Sequence, residues 1–109
     1  MRKKQKQDYS KALLELLGVD VSVPAAVSIV MVGRKGVTEE NYVDYVESFF
    51  GREREKDHYV FLLARSRPHI ATAERVVSTL EQRGYSISDT KRRSDNRGIP
   101  VYLATIERI

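Results

Sequence analysis

The chain has 109 residues, 41% hydrophobic and 31% charged, which gives it room for one core of modest size. It carries a net charge of +4, no cysteine and two histidines, His58 and His69. Disulfide frameworks, thiolate nucleophiles, cysteine zinc sites and histidine-rich metal centres are thereby excluded, and no apolar run approaches the ~20 residues that cross a bilayer.

Residues 1–7 hold Arg2, Lys3, Lys4 and Lys6 without an acid and lead into no signal-peptide core, so they read as a disordered basic arm. A helix is predicted from Asp8, a suitable N-cap, with Tyr9, Leu13, Leu16 and Leu17 on one face and Gly18 at its end. Pro24 closes a short linker, and Val27 to Val32 is a β-branched apolar run of the kind that forms a buried strand. Gly33-Arg34-Lys35-Gly36 is a loop. Thr38 caps a second helix with Glu39 and Glu40 in its first turn and Tyr42, Val46, Phe49 and Phe50 on its inner stripe, stopping at Gly51.

Residues 52–57 alternate in sign and read as a solvated turn. A second strand is predicted from about His58 to Ala64. Arg65-Ser66-Arg67 follows, and Pro68 opens a third helix lined by Ile70, Ala73, Val77 and Leu80 and ended by Gly84. Tyr85 to Ser88 and Val101 to Ile106 alternate as strands, so the polar stretch between them, Lys91 to Gly98, becomes the tip of a hairpin. The predicted class is α/β: an extra N-terminal helix, then a single β-α-β-α-β-β domain. The basic arm and leading helix occupy 1–22 and the domain 23–109.

The cations are segregated. The arm, the loop at Arg34 and Lys35, the pair Arg65 and Arg67, and the hairpin segment with Lys91, Arg92, Arg93 and Arg97 hold twelve of the nineteen Lys and Arg. Seven of the fifteen acids gather between Glu39 and Asp57. Such segregation is the footprint of a polyanion binder when the clusters converge in space. Parallel pairing of the first two strands would bring Arg34-Lys35 and Arg65-Arg67 to one sheet edge, each before a helix N-terminus whose free N–H groups favour an anion. Neither histidine has a nucleophile or carboxylate at a motif spacing, and Gly33 to Gly36 lacks the P-loop spacing. The chain therefore reads as a binding protein, not an enzyme, with no cofactor.

The order β-α-β-α-β-β, with Gly33-Arg34-Lys35, then Glu40-Asn41-Tyr42-Val43, then Ala64-Arg65-Ser66-Arg67 with Glu74 beyond it, and a basic hairpin, resembles the Alba family of archaeal chromatin proteins. The likeness covers about residues 26–109. Ser66 stands where that family has glycine, Pro68-His69 enters the helix differently, and Gly36 replaces a frequent proline. The resemblance implies a four-stranded mixed sheet with two helices and an extended basic C-terminal hairpin. It further implies a homodimer, or a heterodimer with a paralogue, that binds double-stranded DNA and also RNA with little sequence preference. Arg34, Lys35, Arg65 and Arg67 would meet the backbone and Lys91, Arg92, Arg93 and Arg97 would enter minor grooves. Such a protein is cytoplasmic and chromosome-associated, without a membrane partner. The alternatives are an RNA-binding subunit of a ribonucleoprotein, or a protein-interaction module docking through Leu13, Leu16 and Leu17.

Overall fold

The structure, a computed structural model, describes residues 12–19, 27–33, 35–52 and 59–108. The arm, the Asp8 cap, Tyr9, Arg34, most of the 52–57 turn and His58 lie outside the described residues. The chain is α/β, with a four-stranded mixed sheet and three helices. A helical segment α1 (residues 12–16) precedes β1 (Val27–Val32), α2 (Glu39–Arg52), β2 (Tyr59–Arg65), α3 (Arg67–Gln82), β3 (Ser86–Ser94) and β4 (Pro100–Glu107).

The strands lie in the order β1-β2-β4-β3. β1 and β2 are parallel, and β4 runs antiparallel to both β2 and β3. Three strands thus share one direction, and β1, β2 and β3 all end at the same edge of the sheet.

Each sheet face has its own core. Val30 and Val32, Val60, Leu62 and Ala64, and Tyr102, Ala104 and Ile106 point to one face, where the buried stripes of α2 and α3 cover them. The helices form where the sequence places apolar residues at i, i+3, i+4 and i+7. The Asn41 amide donates to Thr38 Oγ1 at 3.3 Å, the N-terminal cap predicted for α2. Two bridges, Arg75 to Glu39 at 2.8 Å and Arg83 to Glu47 at 2.7 Å, tie α3 to α2 across their outer surface.

The opposite face presents Phe61, Leu63, Val101 and Leu103. Leu13, Leu14 and Leu17 bury themselves against these residues, with Leu16 and Val19 at the margin. Leu13 and Leu17, expected as candidates for docking a partner, are therefore turned onto the chain's own sheet. The extra helix serves as the second layer of the core, covering part of this apolar face.

The hairpin departs from expectation in two ways. β3 runs on through Lys91, Arg92 and Arg93, so the tip is residues 95–99 instead of the whole of 91–98. Nor does the ribbon extend as an arm: β4 pairs with β2 from Val101 opposite Arg65 to Glu107 opposite Tyr59, which holds the ribbon inside the sheet. Only the tip runs past β2. The apolar side chains of β4, buried on both faces, gain more by lying in the sheet than by projecting into water.

Candidate nucleic-acid interface

Three of the expected basic segments meet at the common strand edge. Lys35 follows β1, Arg67 begins α3 directly after β2, and Arg97 sits in the tip that follows β3. Gly33, Arg65, Ser66, His69 and Ile99 line one cleft of about 920 Å³, so these loops are neighbours in space. Their closeness imposes local conformations. Gly33 has φ 127°, and an added Cβ would lie 3.0 Å from the His69 ring, while its N–H donates to Tyr42 Oη at 2.9 Å. Only glycine fits there without displacing the imidazole. Ser66 adopts φ 80° and ψ 152°, a region that non-glycine residues rarely occupy.

Asp95 organises the tip. Its Oδ1 accepts the amides of Arg97 at 2.8 Å and Ile99 at 3.0 Å, and its Oδ2 accepts Arg65 Nη2 at 2.6 Å and Nε at 2.9 Å. Partial desolvation pushes this carboxyl up. The Ile99 amide, the Arg65 guanidinium and the Arg97 amide together outweigh it and hold the group below the usual carboxylate range. A carboxyl depressed in the folded state stabilises above its unfolded pKa, and that contribution disappears as pH falls through the folded value. The Arg97 and Ile99 amide resonances should accordingly titrate with a midpoint below the ordinary ~3.9 of an aspartate. In Asp95→Asn the acid transition should vanish. A midpoint at or above the ordinary value would show that these donors do not bind the carboxylate.

The eight candidate residues separate into groups. Arg65 is engaged with Asp95. Arg92 pairs with Glu74 on α3 and lies 5.0 Å from the Tyr102 ring centre, so its guanidinium is held on the helical face. Lys91 pairs with Asp89 at 3.3 Å. Lys35, Arg67, Arg93 and Arg97 are exposed and form no ion pair with the described residues. Arg34 lies outside the description.

The β3 cations face opposite sides of the sheet. Arg92 opposes Tyr102, whose side chain faces the helices, whereas Lys91 and Arg93 oppose Leu103 and Val101, which face α1. The cause is the irregularity between Ile87 and Asp89, which inserts Ser88 and shifts every later residue of β3 by one face.

The two helix N-termini also differ. The first turn of α2 carries Glu39 and Glu40, which already complement its dipole. α3 has no acid in its first turn and starts on Arg67, so no residue of that turn neutralises its positive end. Arg67, Arg92, Ser94 and Gly98 line a second, smaller cleft of about 390 Å³ between this helix and the hairpin.

Sequence reasoning missed the part played by two acids. The reading of Lys91 to Gly98 as a polar tip gave Asp95 no part, although Asp95-Asn96-Arg97-Gly98 has the composition of a tight turn closed by its own aspartate. Glu74 appeared only as part of a family pattern, and no local signal foretells its pairing with Arg92. Comparison with protein-family models finds none that matches this chain, and comparison with curated proteins finds no relative.

Proposed function

We propose that the protein binds nucleic acid through this edge, with double-stranded DNA as the preferred ligand, little sequence preference, and a homodimer as the working unit. The observation that carries the reading is the convergence of Lys35, Arg67 and Arg97 at the common end of β1, β2 and β3, with Arg93 near the end of β3 on the α1 face and none of the four ion-paired to a described acid. Exposed cations beside an open helix N-terminus suit phosphate oxygens. The reading needs no base-specific contact, in keeping with the chromatin proteins that the sequence resembles. The ion-paired cations Arg65 and Arg92 act here as supports: Arg65 fixes the tip, and Arg92 fixes the ribbon against α3.

Binding to random-sequence duplex DNA, followed across salt concentration, tests this. Each phosphate neutralised contributes about 0.9 to the slope of log K against log salt. Replacing Lys35, Arg67, Arg93 and Arg97 together by alanine should reduce the slope by about 3.6 for each protomer engaged, so that between 50 and 200 mM salt the native protein loses roughly 10²-fold more affinity per engaged protomer than the variant. The pair Arg75→Ala and Arg83→Ala, which removes cations from the outer surface of the helices, should leave the slope unchanged. Equal slopes for all three proteins would reject the interface. Competition with structured RNA then decides which nucleic acid is preferred, because the A-form major groove excludes side chains.

A further inference from the structure

The two edges of the sheet are built differently. β3 carries Asp89, Lys91, Arg92 and Arg93 together with its bulge, and these devices discourage pairing with a foreign strand. β1 reads Val-Ser-Ile-Val-Met-Val, without charge, proline or bulge, and stays in unbroken register with β2 over all six residues. Among the described residues nothing pairs with its outer side. An apolar strand left in that state is a template for another strand.

The side chains around it agree. The large hydrophobic residues exposed among the described ones are Ile29, at 43%, and Tyr45, at 44%, and both line the cleft along this edge. Ile29 lies on the α1 face of the sheet and Tyr45 on α2, in the layer above the other face. Apolar surface therefore stops at the same boundary in both layers.

We infer that β1 pairs antiparallel with β1 of a second copy about a twofold axis perpendicular to the sheet, joining two four-stranded sheets into one of eight. This inference takes the proposed dimer as its starting point and gives it a surface, while its observations are those of the edge alone. A second copy suits the edge for three reasons. Such an axis keeps the helices of both copies on one side and sets residues of the same face opposite each other, so Val30 meets Val30, or Ile29 meets Ile29, with no charge in the seam. The exposed Tyr45 of each copy comes to the same boundary. The two α2 helices run antiparallel, so their dipoles oppose and the first turn of one, where Glu40 is exposed, lies toward the Arg52 end of the other.

Light scattering on the purified protein without nucleic acid reads the outcome. The native chain should show twice its 12.5 kDa mass. Ile29→Lys should show the monomer mass with an unchanged circular dichroism spectrum, and Tyr45→Glu should do the same from the helical layer if the lysine variant fails to fold. Thr90→Lys, an exposed position on the opposite edge strand, should remain dimeric. A native dimer that persists in both the Ile29 and Tyr45 variants would overturn this seam and leave the dimer standing. A native monomer whose β1 amides resist hydrogen exchange would mean that the chain's own residues cover the edge, and it would overturn both seam and dimer. Neither result bears on the salt dependence of DNA binding, so the two readings fail separately.

Discussion

Leu14→Ala should lower the free energy of unfolding by about 2–5 kcal/mol, the cost of deleting a buried leucine side chain when its surroundings relax only in part. Leu14 is 0% exposed although it belongs to a segment with only five described helical residues, 12–16. It packs in one cluster with Phe61, Leu63, Val101 and Leu103. A loss of this size is a large share of the ~5–15 kcal/mol that holds a typical domain together. Glu15→Ala, exposed on the same segment, should change stability by no more than about 0.5 kcal/mol. Urea denaturation of the two variants beside the native chain decides the matter. Equal midpoints would mean that α1 contributes no burial, and the second core would then be absent in solution.

Ser66→Gly should stabilise the protein by a net ~1 kcal/mol. A non-glycine residue held near φ 80° and ψ 152° costs about 1–3 kcal/mol, and glycine removes most of that. Against it stands the greater freedom of glycine in the unfolded chain, about 0.5–1 kcal/mol. Little else is lost, because the serine hydroxyl makes no capping bond to α3. The conformation is imposed from both sides: the Ser66 N–H donates to the Pro100 carbonyl at 2.9 Å, and its own carbonyl accepts the Ile70 amide at 3.0 Å. Both bonds survive the substitution. For a chain of this size 1 kcal/mol corresponds to a rise of about 4 °C in Tm. A fall in Tm on differential scanning calorimetry would show that the backbone at Ser66 is unstrained.

Both variants bear on function as well. Ser66 lies between Arg65, which holds the hairpin tip, and Arg67, which opens α3. Relieving its strain without moving its hydrogen bonds should leave the DNA salt slope intact. Leu14 packs on the sheet face from which Arg93 projects. Loosening that layer should weaken binding only as far as it unfolds the chain.

The elements were legible in the sequence because their signals are local. Periodic apolar residues and the Thr38 cap marked α2, Pro68 marked the first turn of α3, and a β-branched run marked β1 within its observed bounds. The strand-helix-strand order brings Lys35 and Arg67 to one edge on the condition that the two strands pair in parallel, and β1 and β2 do so. The segregation of cations was likewise plain from residue order.

Which acid each cation pairs with, and which face it takes, was decided only in three dimensions. Asp95 and Arg65 are thirty residues apart and Glu74 and Arg92 eighteen, so no spacing rule joins them. The bulge at Ser88 carries no glycine to announce it, yet it determines which β3 cations face α3 and which face α1. The leucines of α1 show an apolar stripe but not its partner, since burial depends on the face the sheet leaves uncovered. Local propensity acts over a few residues, whereas ion pairing, strand phase and layer packing depend on distances that exist only once the chain has closed on itself.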